Sequence, residues 1–328
     1  MAHDHSHAHP TVPTLLIGLS GAGEALLEAA LAREELEVVG VVDAARAGEP
    51  LQALGGEAVA ASAKGLWGKV RGGLVIVNLG DRLADVVPTL EAAAKAEVNV
   101  VSPCAELAFP WFADPDQAEA LERRFSKAGV SCLGAGVSPG FVSDRLPSIM
   151  GSLTHAVEGV RVRRRLDLRA ASPDRLAAFG VGLEEGRFLA DAEADRVGQR
   201  GLGESAAMIA EGLGLQADEV DEEIQPLLAA EAFELGGTKF PAGTVCGARQ
   251  VLLAFEEGVE RVRIEIEAQL DHEAPSDTLE LEATPPLRLE IPGGVPAAAE
   301  VWAVINAGLL VVGAQAGVMT VLDLPGGR

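Results

Sequence analysis

The stretch Thr14-Leu15-Leu16-Ile17-Gly18-Leu19-Ser20-Gly21-Ala22-Gly23 is an apolar run that breaks into glycines, and Glu24 to Arg33 behind it is rich in Ala and Leu at helical spacing. A short apolar run closed by glycines reads as a buried strand and a tight turn, and the segment after it as an amphipathic helix. A second apolar run, Val38 to Val42, ends at Asp43, about twenty residues past Gly23, and completes a βαβ unit. Further strand-like runs lie at Leu74 to Val77, Val98 to Val101 and Gly129 to Leu133, with helical segments at Leu83 to Ala96 and Gln117 to Lys127 between them. Buried strands alternating with helices over about 130 residues imply an α/β, Rossmann-type doubly wound parallel sheet.

Past Gly140 the period changes. Arg161, Arg163, Arg165, Asp167 and Arg169 alternate with Val162, Arg164, Leu166 and Leu168, and Arg261 to Glu267, Leu279 to Leu281 and Leu287 to Ile291 follow the same period of two. Strands of that kind have one wet and one dry face and usually form antiparallel sheets. Residues 143–294 are therefore expected to be a second α+β domain, a substrate and dimerisation domain carrying a mainly antiparallel open-faced sheet, with helices at Leu183 to Ala194 and Glu204 to Leu213. The Arg face has two readings, a salt-bridged surface or subunit contact and an anion pocket. Val301 to Leu322 is uncharged and long enough to cross a bilayer, but it holds Asn306, Gln315, Thr320 and three glycines between Glu300 and Asp323. It reads instead as a buried helix and short strand returning to the first sheet. The dinucleotide-binding domain then comprises residues 11–142 plus 295–328. His3, His5, His7 and His9 make residues 1–10 a disordered His-rich tail, whose imidazoles would share one side of an extended chain and suit a divalent metal; no metal is assigned to the folded domains.

The chain has 328 residues and a formal charge of -23, from 49 acidic against 26 basic residues. That balance repels phosphate backbones and anionic lipid, so neither nucleic acid nor membrane is an expected partner. Cys104, Cys132 and Cys246 form no CxxC pair, and no basic segment precedes an apolar one at the N-terminus, which fits a reducing cytoplasm. Tyr is absent, so a Tyr-Lys hydride-transfer dyad is excluded. Outside the tail only His155 and His272 remain, neither beside a nucleophile elbow.

Gly18, Ser20 and Gly23 occupy the glycine positions of G-x-G-x-x-G, and Ser20 replaces the glycine that lets the backbone approach a pyrophosphate. Gly21, next to it and before Ala22, offers compensation. Asp43 is placed to accept hydrogen bonds from ribose hydroxyls and to repel a 2′-phosphate, which favours NAD; Arg46 nearby would pair with that phosphate and keeps NADP open. Asn78, Gly80 and Ser102 follow later strands and would face the nicotinamide end of the cofactor, Asn78 having a plain turn residue as its alternative. Glu106, in the loop Ser102 to Pro110, is either a general base or a solvated loop carboxylate.

Four ordered segments then resemble the amine dehydrogenases typified by 2,4-diaminopentanoate dehydrogenase, relatives of dihydrodipicolinate reductase. Asn99-Val100-Val101-Ser102-Pro103-Cys104-Ala105-Glu106-Leu107-Ala108-Phe109-Pro110 is similar to N-V-V-S-T-C-E-E-L-x-[YF]-P, and Gly134-Ala135-Gly136-Val137-Ser138-Pro139-Gly140-Phe141 to G-T-G-V-N-P-G-F. Gly198-Gln199-Arg200-Gly201-Leu202-Gly203-Glu204-Ser205 resembles G-H-x-G-L-x-E-S, and Thr320-Val321-Leu322-Asp323-Leu324-Pro325 resembles T-x-x-D-L-P. The resemblance implies a homodimer, an amine or carbonyl substrate with ammonia as co-substrate, and reversible oxidative deamination with NAD or NADP. It also implies a Glu of the C-E-E-L loop as base, here Glu106, because Ala105 stands where the first Glu would be. Cys104, Ala105, Ser138, Pro139, Gly140, Phe141 and Gln199 are its pocket residues, with Ser138 and Gln199 departing from the pattern's Asn and His. A cyclic-imine reductase and a catalytically silent nucleotide-binding protein are the alternatives.

Overall fold

The computed structural model describes residues 11–325, so the histidine-rich segment lies outside the described residues. Two compact units result: 11–135 with 301–324, and 136–300 with Pro325. The first unit ends before residue 142 because the turn that follows Ala135 bonds to residues of the second: Gly140 N donates to Asp144 Oδ2 at 2.7 Å and Val137 N to Glu300 Oε2 at 3.1 Å.

In the first unit, β1 (Val12–Ile17), α1 (Gly23–Leu31) and β2 (Leu36–Val42) form the opening βαβ unit. A small hairpin of β3 (Pro50–Leu51) and β4 (Glu57–Ala58) follows, then β5 (Leu74–Val77), α2 (Leu83–Lys95), β6 (Asn99–Ser102), α3 (Pro110–Ala113), α4 (Pro115–Ala128) and β7 (Ser131–Gly134). The late segment returns α9 (Ala298–Val311) and β16 (Gly317–Met319), and β16 pairs in parallel with β7. The six strands run β16-β7-β6-β5-β1-β2, all parallel. Leu74, Val75, Ile76 and Val77 are each 0% exposed, as a central strand covered on both faces requires. On α2, Leu83, Val86, Leu90, Ala93 and Ala94 recur at helical spacing and supply the buried face. Arg33, just past α1, lies over the Trp302 ring at 5.4 Å and donates to Asn306, tying α1 to α9. Strand order reverses between β1 and β5, so the crevice for a ligand opens where Gly18 and Asn78 leave the sheet.

The second unit contains α5 (Arg145–Gly151), β8 (Val157–Asp167), α6 (Pro173–Ala178), α7 (Glu185–Glu193), α8 (Leu202–Leu213) and β9 (Glu219–Leu228). It continues with a short hairpin, β10 (Phe233–Leu235) and β11 (Thr238–Phe240), and then β12 (Val245–Glu256), β13 (Val259–Gln269), β14 (Ser276–Ala283) and β15 (Leu287–Pro292). Its main sheet runs β15-β14-β8-β13-β12-β9 and is antiparallel except for β8 with β13. On β8, Val160, Val162 and Arg164 face inward, and Arg164 pairs with Asp277 at 2.9 Å with both side chains buried. Arg169 falls beyond the strand, which ends at Asp167. Among the described residues no helix is long and apolar enough to cross a membrane.

Candidate active site

The glycine turn is built around Asn78. Asn78 N donates to the Ile17 carbonyl at 2.8 Å, and its Nδ2 donates to the Ser20 carbonyl at 2.8 Å and more weakly to that of Gly18 at 3.3 Å. Gly18 has φ +96°, and a Cβ there would stand 1.9 Å from the Asn78 carbonyl oxygen, so no other residue fits. The reversed backbone beside it falls at Gly21, φ +56°, and not at Ser20, which is exposed. Ala22 caps α1 without a side-chain hydrogen bond and Gly23 N donates to the Ser20 carbonyl at 2.9 Å, so the next amides of the first turn, those of Glu24 and Ala25, are left for a ligand at the positive end of the helix. This cradle fits a pyrophosphate.

Asp43 closes it. Its Oδ2 accepts Leu19 N at 2.8 Å and its Oδ1 accepts Ala45 N at 2.9 Å. The Leu19 amide, chiefly, holds the carboxyl below the usual aspartate range, so it is ionised at neutral pH. Such a group strengthens the fold only above the ordinary aspartate pKa and loses that contribution as pH falls through its own lower value. Arg46 is paired with both Glu24 and Glu49, the latter at 2.8 Å, so its charge is already matched. Asp43→Ala is expected to weaken NAD binding about tenfold to a hundredfold, the scale of charge-assisted hydrogen bonds, while NADP affinity falls far less. Fluorescence titration with both cofactors measures this; an unchanged NAD to NADP ratio would show that Asp43 does not read the ribose.

Beyond β6 the structure assigns several residues different surroundings from those the sequence implied. Ser102 is buried, its Oγ donating to the Val77 carbonyl at 2.6 Å and accepting Cys104 N at 3.1 Å, so it joins the ends of β5 and β6 instead of facing a nicotinamide. Cys104 is 1% exposed within the apolar core, and burial pushes its thiol up to about 12; it is a core residue, not a pocket wall. Ala105 is also buried, at 6% exposure. Gly80 is exposed beyond Asn78. Glu106 is half-buried, and its Oε2 accepts Leu83 N at 2.7 Å, so the carboxylate caps the first turn of α2. It is therefore not a freely solvated loop acid. Among the described residues its Oε1 takes no hydrogen bond, which leaves one oxygen for chemistry.

In the second unit, two segments far apart in sequence meet at one turn. Gln199 Nε2 donates to the Ser138 carbonyl at 2.8 Å and to Ser138 Oγ at 3.0 Å, and Ser138 Oγ lies 2.6 Å from Ser143 Oγ. The two positions that depart from the resembled pattern thus touch each other. Gln250 clamps the Gln199 backbone, accepting its N–H at 2.7 Å and donating to its carbonyl at 3.0 Å, while Gln199 Oε1 is buried and takes no hydrogen bond. Pro139 and Gly140 are buried, and Phe141 is exposed. Gly140 has φ +125°, and a Cβ would meet Gly136 N at 2.3 Å.

Asp144 holds that turn in place. It accepts Gly140 N at 2.7 Å, Arg145 N at 2.6 Å and Ser205 Oγ at 2.9 Å, and complete burial pushes its carboxyl above the ordinary range. Asp144, Ser205 and Gln250 were not singled out from sequence, because a buried polar network has no period; only Ser205, lying in a motif, offered a signal. Asp144→Ala is expected to cost about 2 to 4 kcal/mol, since three donors lose their acceptor. A denaturation midpoint equal to that of the wild type would show that the network carries no such weight. A raised carboxyl favours the fold below the unfolded pKa and loses that contribution as pH rises through its own value. Among the described residues no His, Cys, Asp or Glu group of three or more is placed to hold a metal.

A parallel sheet with a glycine turn at its switch point, joined to a second unit built on a mixed sheet, defines the class of two-domain Rossmann-type dehydrogenases. A model for the C-terminal domain of 2,4-diaminopentanoate dehydrogenase matches residues 141–328, and the chain belongs to that family. The 2,4-diaminopentanoate dehydrogenase of Acetoanaerobium sticklandii is 23% identical over 343 residues, covering 96% of this chain and 93% of the relative. Among solved structures, the amine dehydrogenase from Mycobacterium smegmatis superposes with a TM-score of 0.84 at 22% identity over 98% of each chain. DAP dehydrogenase of C. glutamicum, in complex with DAP, gives 0.52 at 11% identity over 97% of this chain and 95% of that one.

Proposed function

We propose that this protein is an NAD(P)-dependent amine dehydrogenase that oxidises a primary amine to a carbonyl compound and, in reverse, aminates the carbonyl with ammonia. Family membership supports the reaction class, and the switch-point cradle closed by an ionised Asp43 is the observation that carries the cofactor reading. The matched charge of Arg46 favours NAD over NADP. When bound, the nicotinamide supplies the hydride acceptor or donor.

The chain's own residues do the rest. The Glu24 and Ala25 amides of the first turn of α1 would hold the pyrophosphate, and Asp43 would hold the adenosine ribose. Glu106 offers a negative oxygen that stabilises a substrate iminium carbon and accepts the proton of the water attacking it in deamination. In amination the same oxygen accepts the proton that attacking ammonia must lose. Ser138 and Gln199 shape the amine pocket through the turn that ends at Phe141. The homodimer implied by the family resemblance belongs to the same reading.

The test is a turnover screen: amines with NAD and with NADP in one direction, ketones and aldehydes with ammonia and reduced cofactor in the other. Ammonia-dependent oxidation of reduced NAD by at least one carbonyl compound is the expected result. NAD binding without turnover of any amine or carbonyl would mark a nucleotide-binding protein that has lost its chemistry at Ala105.

A further inference from the structure

Within the second unit, α6 is fastened to the turn assigned to the amine. The Ala178 carbonyl at the end of α6 accepts Gly198 N at 2.7 Å, and the next residue, Gln199, donates its side chain to Ser138. Arg175 stands one turn back on the same helix. Its guanidinium lies 5.6 Å from the ring centre of Phe179, which is 1% exposed and so gives the cation a fixed platform.

Nothing in the fold answers that charge. In a chain of formal charge -23, the half-buried Arg175 side chain has neither a carboxylate at ion-pair distance nor a hydrogen bond among the described residues. Burial chiefly, and the Arg164 charge next, push its pKa down, while Glu300 pulls the other way. Both neighbours have other work. Arg164, the inward-facing residue of β8, is matched by Asp277 at 2.9 Å. Glu300 accepts Val137 N at 3.1 Å, and its Oε1 would stand 2.3 Å from a Cβ on Gly136, so it is packed under the start of the Ser138 turn. Arg175 has therefore lost hydration beside a like charge without gaining a partner. It is still reachable, because the buried unpaired side-chain atoms among the described residues are Arg33 Nε, Arg165 Nε and Gln199 Oε1, and none belongs to Arg175.

We infer that Arg175 is a specificity-determining residue of the amine pocket, and that its guanidinium pairs with a carboxylate which the substrate carries away from the reacting carbon. A planar carboxylate engages two donors of the guanidinium fork at once, which an alkyl group or a neutral amide cannot do. Amino acids and oxo acids are then the substrates, in place of plain amines and ketones. The inference rests on the amine dehydrogenase reading given above.

Calorimetric titration of the NAD-saturated full chain with 4-oxopentanoate and 5-oxohexanoate, each against its neutral carboxamide, measures the carboxylate contact apart from turnover. At least one acid is expected to bind roughly tenfold or more tighter than its carboxamide, the scale of a charge-assisted pair. Arg175→Leu should erase that difference while carboxamide binding, NAD affinity and melting temperature stay near those of the wild type. Arg175→Lys, the second variant should the first fold poorly, should keep part of it. In amination of the same compounds with ammonia and reduced NAD, Arg175→Leu should raise KM for the acid and leave kcat within about threefold. Equal binding of acid and carboxamide by the wild type, a preference that survives Arg175→Leu, or no saturable binding of either acid overturns the proposal. So does an equal loss of acid and carboxamide in Arg175→Leu, which would make the arginine structural. Arg175-dependent acid binding with no amination keeps the carboxylate contact and defeats the amine dehydrogenase reading, whereas amination of carboxamide and acid alike keeps that reading and defeats the contact.

Discussion

Glu106→Gln is expected to cut amine turnover roughly a hundredfold or more while leaving NAD affinity and the melting temperature close to those of the wild type. The rate effect is the usual scale for losing a positioned proton acceptor. Preserved stability follows from geometry: Glu106 Oε2 accepts Leu83 N at 2.7 Å, and the amide oxygen of Gln can accept the same bond. Glu106→Ala removes both functions, so it should lose the same activity and also about 1 kcal/mol for the α2 cap. The pair separates a base from a brace. Near-wild-type turnover in Glu106→Gln, with Glu106→Ala merely less stable, would leave the carboxylate only its structural role. Ala105→Glu then becomes decisive, because amine oxidation gained by that variant would locate the family's working carboxylate one residue earlier.

What could be read from the sequence followed from periodicity and turn chemistry. The βαβ opening was legible because Leu15 to Ile17 is apolar throughout, Gly18 interrupts it and Asp43 follows at nucleotide-site spacing. The uncharged segment Val301 to Leu322 was legible as helix and strand because its polar residues and acidic borders suit a core better than a bilayer. β9 and β12 were not identified. β9 begins Glu219-Val220-Asp221-Glu222-Glu223 and lies at the sheet edge largely exposed, so no buried alternation announces it. In β12, Gly247 and Gln250 interrupt the apolar rhythm, although Gln250 proves to be the clamp on Gln199.

The candidate site was legible in part, and the reason differs by residue. Gly18 and Asp43 have their positions dictated by local geometry. Ser102 and Cys104 were drawn toward the site by sitting after a strand, yet a short polar side chain there can turn inward, as the Ser102 hydroxyl does toward Val77. Arg164 and Arg165 are adjacent and identical in type, and strand alternation alone sends one into a buried pair with Asp277 and the other onto the wet face. Their different fates were implicit in the period of two, but the partner of Arg164 lies more than a hundred residues away.

Gly18→Ala is expected to abolish measurable NAD binding and to destabilise the first unit by roughly 2 to 4 kcal/mol. Two costs add. At φ +96° a methyl group is strained whatever surrounds it, and here it would stand 1.9 Å from the Asn78 carbonyl oxygen, a backbone atom at the end of a fully buried strand. That oxygen cannot swing aside as a flexible side chain would, so the turn must leave its conformation or β5 must shift. Either movement breaks the Asn78 bonds to Ser20 and Gly18 and displaces Leu19, whose amide fixes Asp43. The pyrophosphate cradle and the ribose acceptor fail together, which is why affinity should drop by more than the roughly tenfold to hundredfold loss expected from Asp43→Ala alone. Ser20→Gly is the control, because Ser20 is exposed and the positive φ belongs to Gly21, so neither stability nor NAD affinity should fall. Calorimetric titration with NAD and thermal denaturation of both variants test the pair. If Gly18→Ala binds NAD as the wild type does, the turn tolerates a methyl group, and the cofactor does not rest on this geometry.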